Sequence, residues 1–150
     1  MQVVEGLAEI WYDQKPDSDY GLGEPAIIVQ THEELSALID RVSTRSATQP
    51  YPSLVEVSIA EDPYGFPTVN AGIGAEKGYV RISGMDELRA TQGTPDATGV
   101  RVYDFQGHET LIPASYEVPL DTVRAVLAAY LDHGGLIPAD FPHLREVTEA

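Results

Sequence analysis

"NAGIGAEKGYVRIS", residues 70–83, sets glycines at positions 72, 74 and 78 between two runs of alternating apolar residues. One reading is a loop that cradles a phosphate, the other a turn between two strands. Three residues separate Gly74 from Gly78, which breaks the G-x-G-x-x-G spacing. A dinucleotide fingerprint must also lead from a strand into a helix, whereas "YVRISG" after Gly78 keeps the alternation of a strand. The stretch therefore predicts a hairpin, with strands over 68–74 and 78–85 joined at 75–77 and glycine supplying the positive φ of a tight turn. A join this short admits only antiparallel neighbours, because a parallel crossover needs about a dozen residues.

Working outward, "SLVEVSIA" (53–60) alternates Val55, Val57 and Ile59 with Leu54, Glu56 and Ser58, the pattern of one buried and one wetter face. Further strands are expected at 8–13, 26–30, 100–105 and 108–118, with Pro113 marking an edge or bulge. Thr31 followed by Glu34 has capping-box spacing, and Leu35, Leu38, Ile39 and Val42 then form one helical stripe. A second stripe runs through Leu120, Val123, Val126, Leu127, Tyr130 and Leu131, with Pro119 suited to its first turn and Gly134 and Gly135 stopping it. The tail "FPHLREVTEA" has room for one short strand. These elements describe a single domain over 1–150. It is an α+β fold with a mostly antiparallel central sheet and two amphipathic helices, at 32–45 and 119–132, packed on one face.

Composition narrows the function classes. The chain has 150 residues, no cysteine, and a formal net charge of −15 from 9 basic and 24 acidic residues. Such a field repels nucleic acid and anionic lipid while attracting a basic partner. No apolar run approaches the roughly 18 residues of a membrane span. The first residues lack a secretory pattern, and with no cysteine present the expected location is cytoplasmic.

Catalytic motifs are sparse. His32, His108, His133 and His143 show no i, i+3 or i+4 pairing and no H-E-x-x-H, so neither metal nor other cofactor is expected. There is no G-x-S-x-G elbow, and neighbouring acids such as Asp86 and Glu87 read as solvated surface. An enzyme is not expected. Acids beside aromatics are more telling, because interfaces favour aromatic anchors within polar rims.

In the order of its elements, and in "THEELSALIDRV", "FPTVNAGIGAEKGYVRISG" and "ETLIPASYEVPLDTVRAVLAAYLDHGG", the chain resembles the first-numbered immunity-protein family of bacterial polymorphic toxin systems. The resemblance covers roughly residues 25–138. Family members typically end in a Thr-Gly-x-Arg-Pro turn and a Trp-bearing strand; "LDHGGLIPADF" keeps Gly134, Gly135 and Pro138 without the Arg and Trp. What the resemblance implies is a noncatalytic inhibitor that binds a cognate secreted toxin, a nuclease or nucleic-acid deaminase domain, inside the producing cell. An acidic inhibitor suits the basic groove of such a toxin. The alternative is a small enzyme or ligand-binding domain with a pocket between sheet and helices.

The expected toxin-binding set is Glu61, Asp62 and Tyr64 in "EDPYGFP", with Asp86 and Glu87 after the next hairpin. If 53–60, 68–74 and 78–85 form a meander, both segments leave the same end of the sheet. The next candidate is the acidic strand face at Asp104 and Glu109.

Overall fold

The computed structural model describes residues 8–11, 27–59, 68–83, 88–94, 96–105, 108–133, 137–138 and 141–147. In chain order the elements are β1 (Ala8–Trp11), β2 (Ile27–Val29), α1 (His32–Ser46), β3 (Ser53–Ile59), β4 (Thr68–Ile73), β5 (Lys77–Ser83) and β6 (Leu88–Thr91), followed by β7 (Val100–Phe105) and β8 (His108–Pro113). A 3-10 turn at Ala114–Tyr116 leads to β9 (Val118–Pro119), α2 (Leu120–Asp132) and β10 (Leu144–Glu146). The sheet runs β10-β6-β5-β4-β3-β1-β2, with β7 attached to β3, β8 to β7 and β9 to β5. Every described pairing is antiparallel except the single bridge Ser53↔Asp104 between β3 and β7. The mostly antiparallel α+β architecture expected from the sequence is the one observed.

The hairpin of the opening stretch is present, registered from Thr68↔Ser83 to Ile73↔Gly78. Its turn is closed by the Gly74 N–H, which donates to the Lys77 carbonyl at 2.8 Å. The reason for its glycines differs from expectation. Among the described glycines only Gly99 has a positive φ, at 88°. What excludes a side chain at the others is close approach. A Cβ at Gly78 would stand 2.1 Å from the Gly72 carbonyl oxygen, and one at Gly72 would stand 2.5 Å from the rings of both Tyr79 and Tyr103. The turn is narrow because strands meet backbone to backbone, and Gly72 leaves floor space for two aromatic rings.

Both helices cover one face. The capping box forms as spaced, with the Glu34 N–H donating to Thr31 Oγ1 at 3.1 Å and the Thr31 N–H to Glu34 Oε1 at 3.2 Å. Pro119 is the residue before α2 and not inside its first turn, a shift of one position. Leu35, Leu38, Ile39 and Val42 of α1 and Val123, Val126, Leu127, Tyr130 and Leu131 of α2 pack on Val55, Val57, Val69, Ala71, Ile73, Val80 and Ile82 of the sheet. The helices run antiparallel. His32 Nε2 lies 2.7 Å from Asp132 Oδ1, while Arg124 donates to the Ser36 hydroxyl at 2.8 Å and pairs with Asp40.

The opposite face carries Leu54, Tyr79, Ala90, Tyr103, Ile112 and Tyr116, so the side of β3 expected to be wetter is buried at Leu54. The β7–β8 hairpin covers it. The strand expected over 108–118 ends at Pro113, whose missing N–H and fixed φ suit the 3-10 turn that follows. At the other sheet edge, β10 supplies the short strand expected in the tail and pairs with β6. Arg89 of β6 holds the chain ahead of it, donating at 2.9 Å to the carbonyls of Ile137 and Pro138.

Candidate protein-docking surface on the β7–β8 hairpin

The expected binding residues Glu61, Asp62, Tyr64, Asp86 and Glu87 lie outside the described residues. The strand ends that flank them are described. Thr68 pairs with Ser83 and Ser83 with Leu88, while Val57 pairs with Val69, so Ile59, Thr68, Ser83 and Leu88 share one end of the sheet. Ser53 and the turn between β4 and β5 lie at the other end, and the bridge from Ser53 to Asp104 places the close of β7 there.

Asp104 and Glu109 stand directly opposite each other across β7 and β8. In an antiparallel pair, opposed residues share a face, so two sets emerge. Tyr103 and Ile112 point inward and are buried, with Phe105 packed against the same cluster. Val100, Val102, Leu111 and Pro113 point outward together with Asp104 and Glu109. Val100 and Leu111 are 56% and 64% exposed, the highest values among the large hydrophobic residues described. Sequence alternation identified the two acids here. It missed their apolar neighbours because β7 is apolar on both sides, Val100 and Val102 against Tyr103 and Phe105, and only the structure shows which side meets water.

The underside of the hairpin is fastened. The Tyr103 hydroxyl donates to Glu117 Oε2 at 2.7 Å, and Arg101 Nε donates to Glu117 Oε1 at 3.2 Å. Burial, reinforced by the hydrogen bond to the Glu117 carboxylate, pushes the Tyr103 phenol well above the usual tyrosine range. Its ring meets Tyr79 edge to face, with centroids 5.0 Å apart and planes at 70°, in the space Gly72 leaves open. Next to this cluster, the buried Thr91 hydroxyl donates to the Tyr116 carbonyl at 2.8 Å and accepts from the Val80 N–H at 3.1 Å. A face held this way loses little conformational freedom on binding.

Among the described residues, aliphatic side chains of the sheet and of both helices meet in one buried cluster. A cleft of about 350 Å³ lies at the surface near the start of α2, lined by Thr122, His143 and Arg145 among others. Among the described residues, no group of three or more His, Asp and Glu is placed to hold a metal ion. His143 packs its ring edge to face with Phe141 at 5.6 Å, and His32 joins the helix ends.

No curated protein matches the chain. The chain does match the family described as immunity protein Imm1 over residues 23–146, a span that contains both helices and every strand from β2 to β10. With most of its length matched, including the hairpin and the two-helix layer, this chain belongs to the Imm1 family of immunity proteins.

Proposed function

We propose that this chain neutralises a secreted toxin domain that acts on nucleic acid, a nuclease or a deaminase, by occupying that domain's basic surface in the cytoplasm of the producing cell. Membership of an immunity family supports a toxin partner. The net charge of −15 carries the rest of the reading, because a toxin that grips a phosphate backbone needs a cationic groove, and an acidic inhibitor meets that groove with complementary potential. The role is that of a noncatalytic inhibitor. Glu61, Asp62, Tyr64, Asp86 and Glu87 belong to this reading as toxin-binding residues, Tyr64 as an aromatic anchor and the acids as charges that also steer the encounter, since charges at an interface rim govern association rate more than affinity.

The test is a titration of the toxin domain encoded beside this chain, with substrate turnover as readout. Inhibition should be complete at one equivalent. Toxin activity that persists in excess inhibitor contradicts the proposal. Reversing Asp62 and Asp86 to Lys should slow association strongly at low salt and much less at high salt. A double reversal that leaves the rate unchanged at both salt levels removes these acids from the interface.

A further inference from the structure

We infer that the outward face of the β7–β8 hairpin is where the toxin docks, with Leu111, Val100, Val102 and Pro113 forming the contact centre and Asp104 and Glu109 its acidic edge. The inference rests on the immunity reading and names the surface through which it operates.

Three observations converge. The first is apolar exposure out of pattern: a strand pair covering a sheet should turn polar residues to water, yet this face presents four apolar residues, and Val100 and Leu111 are each more than half exposed. The second is charge. Asp104 and Glu109 sit directly opposite on the same face, which puts two carboxylates at one edge of the apolar patch and suits a cationic partner laid across it. The third is rigidity. Tyr103 is clamped by Glu117 and Tyr79 over Gly72, so the strand beneath the face is tied to the sheet and fewer groups need ordering on binding. Apolar centre, acidic edge and fixed backbone fit a toxin patch made of aliphatic or aromatic side chains flanked by Lys or Arg. The face lies toward the opposite sheet end from Ile59, Thr68, Ser83 and Leu88.

The experiment measures binding of the full chain to its toxin domain by surface plasmon resonance, for wild type, Val100→Ser/Leu111→Ser and Glu109→Lys, with the thermal midpoint of each. The double variant should unfold near the wild-type temperature and bind about tenfold to a hundredfold more weakly, mainly through faster dissociation. Glu109→Lys should associate several-fold more slowly at low salt and much less so at high salt while unfolding near the wild-type temperature, because the exchange is at an exposed position. That combination does not arise from a merely structural role. Binding by both variants within about twofold of wild type overturns the docking surface and leaves the immunity function standing. A wild-type chain that fails to bind its toxin overturns both. A wild-type dimer in sedimentation that the double variant dissociates assigns the face to a second copy and overturns the toxin as its occupant.

Discussion

The two faces of the central sheet are closed by different chemistry. Under the helices, aliphatic residues from β3, β4 and β5 meet aliphatic stripes of α1 and α2, and hydrophobic burial with close packing explains the contact. Under the hairpin, three tyrosines, a glycine floor and a shared carboxylate do the joining, so geometry and hydrogen bonding matter as much as buried area. The first face is tolerant of how its volume is filled. The second is tolerant of very little, and what it fastens is a hairpin whose other side presents apolar groups to water.

Substitutions separate the two. Ile82→Ala opens a cavity between sheet and helices and should cost about 4 kcal/mol, read as a lower urea midpoint with unchanged slope. Gly72→Val drives a branched side chain into the rings of Tyr79 and Tyr103. It should cost about 3 kcal/mol and weaken toxin binding as well, because it displaces the hairpin from below. A Gly72→Val protein of wild-type affinity would detach the hairpin from the function.

Tyr103→Phe removes one donor from Glu117 while Arg101 still pairs with that carboxylate, so about 2 kcal/mol is expected in thermal or urea unfolding. The same tyrosines distinguish the faces by pH. Burial raises Tyr130, on the helix side, to about 12, and Tyr103, on the hairpin side, is also raised. A raised folded-state value means the fold favours the neutral phenol. Its contribution is complete below the unfolded value of 10 and is lost as pH climbs through the folded one. Stability should therefore fall from pH 10 upward, with the Tyr130 part spent near pH 12. Tyr130→Phe should flatten the early part of that decline. The smallest effect expected is at the helix cap, where Thr31→Ala should cost about 1 kcal/mol and leave the hairpin and its binding untouched.

The helix-covered face was legible in the sequence because its buried positions are apolar and periodic. The capping box at Thr31 and Glu34, the stripes of both helices and the alternation in β3 all pointed to the observed elements within a few residues. Polar buried positions and the other side were not. β6 has no apolar period, since two of its buried residues, Arg89 and Thr91, are polar and are used for hydrogen bonds. The glycines were recognised as a hairpin, but their cause, close approach of backbone and rings, depends on Tyr103, which is distant in sequence. The acids Asp104 and Glu109 were visible as a strand face. Their combination with Leu111 depends on strand register, which residue types alone do not supply.

Amide hydrogen exchange of the chain, free and bound to its toxin domain, tests the central claim most directly, because it reports protection along the whole backbone at once. Slowed exchange in the complex should concentrate in residues 100–105 and 108–113, with α1 and α2 unchanged. Protection confined to the helices or to other segments, with the hairpin exchanging as in the free protein, would contradict it.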